Sequence, residues 1–262
     1  MTLPPPARDT LNRLYGLYTS GLPEHYRKGN PEDFLQPWHT LAVSRVQEIR
    51  RLDRHSEFTW IDVGAGGGEL AVNLSKSFPN SHGTAVDLHD RPAYVAADAP
   101  DVVWHKLDIN GTNFADDFRQ QYDMVISTAV LEHVISPLDF ISALLRLLCP
   151  GGLLYMICPD YGSAARRALG RFWPYFSPGE HLAMPTDAGA IACANRAIAS
   201  VLGDIRQCTV VSQPVALSYT FRYILERLGM QAVADLLPRQ LGMPLPVGAL
   251  ETYILRHQLK IS

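Results

Sequence analysis

The segment Trp60-Ile61-Asp62-Val63-Gly64-Ala65-Gly66-Gly67-Gly68-Glu69-Leu70 combines a carboxylate with glycines at alternating positions. An apolar run ends there and a helical pattern begins. Glycine turns the chain tightly and lets a ligand come close to the backbone. The chemistry such a loop serves is the binding of a nucleotide-like molecule. Asp87 lies 19 residues beyond Gly68, at the end of Thr84-Ala85-Val86-Asp87. An ionised carboxylate accepts on two oxygens, so Asp87 can take both hydroxyls of a ribose. A third acid, Asp108, ends Trp104-His105-Lys106-Leu107-Asp108. Dinucleotide-binding proteins carry a related loop, G-x-G-x-x-G/A. That pattern fails from Gly64, because position 69 is Glu69, and is met from Gly66, where Ala71 is the small residue. It asks for neither Asp62 nor Asp108.

The whole set resembles the class I S-adenosylmethionine-dependent methyltransferases, whose first motif is D-x-G-x-G-x-G. Asp62, Gly64, Gly66 and Gly68 match every required position. Asp87 and Asp108 follow in register. Then come Tyr122-Asp123-Met124-Val125-Ile126-Ser127-Thr128, Ala129-Val130-Leu131-Glu132-His133-Val134 and Leu148-Cys149-Pro150-Gly151-Gly152. The resemblance covers roughly residues 57–160 and points to the group that includes quinone-biosynthesis and natural-product small-molecule methyltransferases. It implies an α/β, doubly wound, mostly parallel seven-stranded Rossmann-like sheet with a helical cap and a C-terminal insertion. It implies S-adenosyl-L-methionine as cofactor and S-adenosyl-L-homocysteine as product. The expected cofactor contacts are Asp62, Gly64, Ala65, Gly66, Asp87, Leu88, Asp108, Ile109, Ser127 and Val130. Asp108 would bind the adenine amino group, helped by the backbone of Ile109. Asp62 would either hold the loop by hydrogen bonds or take the cofactor's ammonium.

Methyl transfer from a sulfonium is an in-line displacement, so positioning supplies much of the catalysis. A base is needed where the acceptor carries a proton at neutral pH, as a hydroxyl does. The resemblance offers His133 and His181 as catalytic candidates, with Glu180 placed to orient His181. Oxygen is the expected acceptor atom, then nitrogen or carbon. No His, Asp or Glu cluster shows metal-ligand spacing along the chain, so no metal is expected. Arg166, in Arg166-Arg167-Ala168-Leu169-Gly170-Arg171, could hold a carboxylate or phosphate of a substrate in bidentate fashion; a solvated helix face is the other reading. Tyr18 and Tyr26, among the aromatics that precede the core, are candidates for a substrate wall. Family members that methylate nucleic-acid bases or protein glutamine carry D/N-P-P-Y/F where this chain has Ser127-Thr128-Ala129-Val130, which argues against those substrates. Two other functions stay open: a nicotinamide-dependent oxidoreductase, and a non-catalytic partner protein built on a cofactor fold.

These residues need elements to hold them. Leu41, Val43, Val46, Ile49 and Leu52 give Thr40–Leu52 a helical apolar stripe. Short strands are expected at Phe58–Val63, Gly83–Leu88, Val102–Leu107, Tyr122–Ser127 and Gly152–Cys158. Helices are expected at Ala71–Phe78 and Pro137–Leu148. Strands alternating with helices mean βαβ units and a parallel sheet covered on both faces. Beyond Asp160 the pattern loosens. Helices are expected at Ala188–Leu202 and Ser218–Leu228 and strands at Gln207–Ser212 and Glu251–Lys260, with a proline-rich helical insertion before the last strand. The reading is one domain over 1–262: a helical cap over 1–56, a cofactor core over 57–160, and a substrate side over 161–262.

Composition agrees. Of the 262 residues, 47% are apolar and 19% charged, with net charge −3. That supports a packed core and excludes a disordered chain. The mild charge and a pI near 6.3 argue against a dedicated nucleic-acid binder. No stretch is long and apolar enough to span a membrane. The N-terminal residues do not read as a secretory signal. Cys149, Cys158, Cys193 and Cys208 form no C-x-x-C pair and read as thiols of a reducing, cytoplasmic compartment. A small-molecule substrate is expected; nothing in the sequence fixes an oligomeric state.

Overall fold

The computed structural model describes residues 38–110, 114–173, 175–177, 180–215, 220–227, 229–238, 241–242 and 248–258. In chain order these form α1 (Trp38–Arg50), β1 (Thr59–Val63), α2 (Glu69–Ser77), β2 (His82–Asp87), α3 (Ala93–Asp98), β3 (Val103–Lys106) and β4 (Tyr122–Thr128). There follow α4 (Pro137–Leu147), β5 (Leu148–Pro159), α5 (Ala164–Leu169), α6 (Asp187–Leu202), β6 (Cys208–Val215), α7 (Phe221–Arg227), α8 (Gln231–Ala234) and β7 (Ala249–Arg256). Seven strands make one sheet in the order β3-β2-β1-β4-β5-β7-β6. Strands β1 to β5 pair in parallel, whereas β7 runs antiparallel between β5 and β6. This is the expected α/β, mostly parallel seven-stranded architecture.

Alternation along the strands divides the core. Ile61, Val63, Val125 and Leu154 face Phe140, Ile141 and Leu144 of α4 and Ala194 and Ile198 of α6. Trp60, Met124, Ile126, Leu153 and Tyr155 face Leu41, Ala42 and Val46 of α1 and Leu70, Ala71 and Leu74 of α2. Side chains on a strand point to opposite faces in turn, so Asp62 shares the face of Trp60. Helix starts follow local chemistry. Ser136 accepts from the Asp139 N–H at 3.4 Å, with Pro137 opening α4. Thr186 accepts from the Gly189 N–H at 3.2 Å to start α6, and Gly203 ends that helix in a left-handed conformation.

Five elements differ from the sequence reading. Strand β5 begins at Leu148, because Pro150-Gly151-Gly152 is absorbed as an irregularity opposite Tyr122 and Met124. Helices α3 and α5, six residues each, have too few turns to show an apolar stripe. The last strand ends at Arg256, short of the expected Lys260. In the insertion before it, the described helix is the single turn α8.

Candidate active site

Strand order reverses between β1 and β4, and the crevice at such a switch point receives ligands at the C-terminal ends of the strands. The glycine loop leaves β1 there. Gly64, Gly66 and Gly68 take φ of 82°, 53° and 85°, values that favour glycine. The N–H groups of Gly64 and Ala65 donate to the Val86 carbonyl at 2.8 and 2.9 Å, and Gly68 N–H closes the turn on the Ala65 carbonyl at 2.8 Å. Two of these glycines also make room for the protein itself. A Cβ on Gly64 would sit 2.4 Å from Val130 Cγ2, and one on Gly68 would sit 2.5 Å from Val95 Cγ2. Among the described residues, a Cβ on Gly66 would meet nothing within 4 Å. Gly66 therefore edges space those residues leave open, where a ligand can approach the main chain.

Acids surround this loop. Asp62 is buried, and neither carboxylate oxygen has a hydrogen-bond partner among the described residues. Burial and then the neighbouring Asp87 and Glu69 carboxylates push its carboxyl up to about 8. A role in bracing the loop by hydrogen bonds, one of the two expected for Asp62, is thus not what the structure shows. Asp87 ends β2, and its Oδ2 accepts from Gly66 N–H at 2.7 Å. Its Oδ1 accepts from the N–H of His89 at 3.0 Å and lies 2.7 Å from Nδ1 of the same residue. Leu88 next to it is half-buried. Asp108 Oδ1 accepts from Asn110 N–H at 2.9 Å, and Asn110 Oδ1 accepts from Ile135 N–H at 3.0 Å. That pair ties the turn beyond β3, with half-buried Ile109, to the turn beyond β4. Ser127 and Val130 are both buried in the floor. The Ser127 hydroxyl donates to the Val63 carbonyl at 2.9 Å, and Val130 packs on Gly64. Both support the loop from beneath.

The two candidate histidines meet. His133 lies in a short helical turn after β4, and His181 lies 22 residues beyond the end of β5. Their rings stand edge to face with centroids 4.8 Å apart. His133 Nδ1 lies 3.1 Å from the Glu180 carbonyl and His181 Nδ1 lies 2.7 Å from the Tyr175 carbonyl. A carbonyl only accepts, so Nδ1 is the donor in each ring. The backbone carbonyl of Tyr175 orients His181. The Glu180 carboxylate accepts from the Ser177 hydroxyl at 2.6 Å. Burial, with a smaller contribution from His181, lowers His133 to about 4. Glu132, beside it in sequence, is fully buried, and burial raises its carboxyl to about 8. The Glu132 carbonyl accepts from the N–H groups of Leu182 and Ala183 at 2.6 and 3.2 Å, which joins the two segments. Glu132, His133 and His181 bring potential ligand atoms within 4.8 Å of one another. Such a set has the chemistry to hold a zinc or ferrous ion. Nothing in the sequence signals this cluster, because 48 residues separate its two histidines.

Arg166 packs over the ring of Tyr161, with its guanidinium carbon 3.9 Å from the centroid, and donates to the Tyr161 hydroxyl. Tyr161, Trp173, Tyr175 and Trp38 continue as a chain of edge-to-face rings. Sequence spacing did not single out Tyr161, Trp173 or Tyr175. Tyr18 and Tyr26 lie outside the described residues.

The family model for a methyltransferase domain matches residues 27–194. The chain belongs to the methyltransferase-domain family. Among curated relatives, the chain is 30% identical over 121 residues to the ubiquinone biosynthesis O-methyltransferase of Hydrogenovibrio crunogenus, covering 45% of this chain and 49% of that protein. It is 31% identical over 134 residues to the protein of that name from Saccharophagus degradans, covering 47% and 53%. The chain thus spans about half the length of the curated relatives it matches. Its fold is that of the YcgJ protein of Bacillus subtilis, with TM-score 0.56, 14% identity and coverage of 83% of this chain and 99% of that one. It is also that of the plantazolicin methyltransferase BpumL in complex with SAH, with TM-score 0.56, 11% identity and coverage of 96% and 92%.

Proposed function

We propose that this chain is an S-adenosylmethionine-dependent methyltransferase acting on a small molecule at a hydroxyl oxygen. One observation carries the reading: the glycine loop, the buried unpartnered Asp62 and the anchored Asp87 all lie at the switch point where cofactors bind this fold. The residues present fit the cofactor. Gly64, Ala65 and Gly66 would line it, and Asp62 would take its ammonium. Asp87 would accept the ribose hydroxyls, and Leu88, Asp108 and Ile109 would flank the adenine. When bound, S-adenosylmethionine supplies an electrophilic methyl group on its sulfonium.

The chain's own residues supply the rest. His133 is neutral at physiological pH, which is the form a base needs. The Glu180 carbonyl on Nδ1 leaves Nε2 as its basic nitrogen. On accepting a proton from a hydroxyl, His133 becomes a cation next to the Glu132 carboxyl. His181 positions His133 through their edge-to-face contact. Arg166 and the aromatic residues beyond β5 belong to the segments we assign to acceptor choice, together with Tyr18 and Tyr26. The Ser127-Thr128-Ala129-Val130 segment and the net charge of −3 favour a diffusible acceptor over a nucleic acid. Four unpaired cysteines accord with a cytoplasmic setting, and no helix among the described residues is long and apolar enough to cross a membrane.

The test is S-adenosylhomocysteine formation with a panel of small phenols, alcohols, amines and carboxylic acids. Transfer to hydroxyl acceptors is expected, falling roughly 100-fold in kcat for His133→Ala. Unchanged kcat in that variant would move the acceptor to an amine, a carboxylate or carbon. Tight cofactor binding without transfer to any acceptor would favour a non-catalytic partner protein.

A further inference from the structure

The Asp87 carboxylate is more heavily engaged than a vacant ribose acceptor would be. A carboxylate offers about four lone-pair sites. Among the described residues, Gly66 N–H takes one on Oδ2 at 2.7 Å, and His89 takes two on Oδ1, through its backbone N–H at 3.0 Å and its ring at 2.7 Å. Because a carboxylate only accepts, the ring nitrogen Nδ1 is the donor. One site is left, yet a ribose brings two hydroxyls. Two of the three donors are fixed. Gly66 belongs to the glycine loop, and the His89 backbone is pinned from β3 by Trp104, whose indole N–H donates to the His89 carbonyl at 3.0 Å. The imidazole is the donor that can leave. Its side chain is 38% exposed and can turn into solvent about its own side-chain bonds.

We infer that the His89 ring is a placeholder for a ribose hydroxyl, holding Asp87 in its accepting orientation and giving way when the cofactor arrives. The inference rests on the assignment of Asp87 as the ribose acceptor. His89 is thus a positioning residue that sets how much of the ribose contact shows up as affinity. Removing the ring leaves the vacated acceptor to water, which a hydroxyl displaces more easily than a short charge-assisted contact.

Calorimetry with S-adenosylhomocysteine and with its 2′,3′-dideoxyribose analogue, on wild type, His89→Ala and His89→Asn, tests this. His89→Ala should bind S-adenosylhomocysteine roughly fivefold more tightly. Its affinity for the dideoxy analogue should match wild type, because that ligand never displaces the ring. The ratio of the two affinities therefore widens. His89→Asn, whose amide N–H can reach the same oxygen, should return the ratio toward wild type. An unchanged ratio in His89→Ala, or equal weakening of both ligands, would overturn the placeholder and leave the ring a mere brace. Asp87→Ala serves as the control. If that variant binds S-adenosylhomocysteine as wild type does, the ribose assignment itself fails, whatever His89 shows.

Discussion

Buried titratable groups give this protein a pH signature that can be worked out residue by residue. Asp62 and Glu132 are each raised to about 8 in the folded chain. A carboxyl raised on folding contributes stability that is full below its unfolded pKa and is lost as pH climbs through the folded value. His133 is lowered to about 4, so it opposes folding below about pH 6.5, by an amount that grows until pH reaches about 4. Between pH 4 and 6.5 the contributions oppose. From pH 6.5 to 8 the two acids act alone, so stability without cofactor should fall. Glu132→Gln should flatten that slope in urea unfolding followed across the range; an equal slope would mean that Glu132 is ionised in the folded state. The same residues bear on metal. If His133 works as a base, activity survives dialysis against EDTA; loss of activity restored by Zn²⁺ would reassign Glu132, His133 and His181 as ligands.

At the scale of elements, the loop after β1 and the dock of α1 make separate predictions. Gly66→Ala puts a methyl group into open space at φ 53°. It should fold with a loss of about 1 kcal/mol and still bind cofactor poorly. Gly64→Ala, whose Cβ would strike Val130, should lose stability as well as binding. Thermal unfolding beside calorimetry separates the two. Helix α1 is held to the sheet by Arg45, which pairs with Glu251 of β7. Glu251 is fully buried and also accepts from the Tyr155 hydroxyl at 2.9 Å and from Gln213. Arg45→Ala strands that carboxylate without its cation and should cost about 3 kcal/mol in urea unfolding. A cost near zero would show that Tyr155 and Gln213 suffice. These elements also show what a sequence reveals. Strands β1 to β4 were legible because apolar runs ended at turn residues, and Gly64 and Gly68 were legible because a positive φ restricts the residue type. The start of β5 was not, because Pro150-Gly151-Gly152 carries the local chemistry of a turn while its pairing with β4 is set by tertiary contacts.

The whole molecule joins a glycine-loop region that local patterns reveal to a histidine cluster whose pieces come from distant parts of the chain. Asp62, Asp87 and Asp108 each end or adjoin a strand, so spacing alone places them at one edge of the sheet. Glu132, His133 and His181 become a cluster only when the segment after β5 folds back and bonds to the Glu132 carbonyl. No local pattern encodes that return, and the aromatic chain from Trp38 to Tyr161 depends on it equally. Every functional assignment to these residues depends on the cofactor site. Its most direct test is calorimetric titration of the wild-type chain and Asp87→Ala with S-adenosylhomocysteine. Saturable one-to-one binding, weakened roughly tenfold or more in Asp87→Ala, is the predicted result. The absence of binding heat at about millimolar ligand, a concentration that would detect even a weak site, would contradict it.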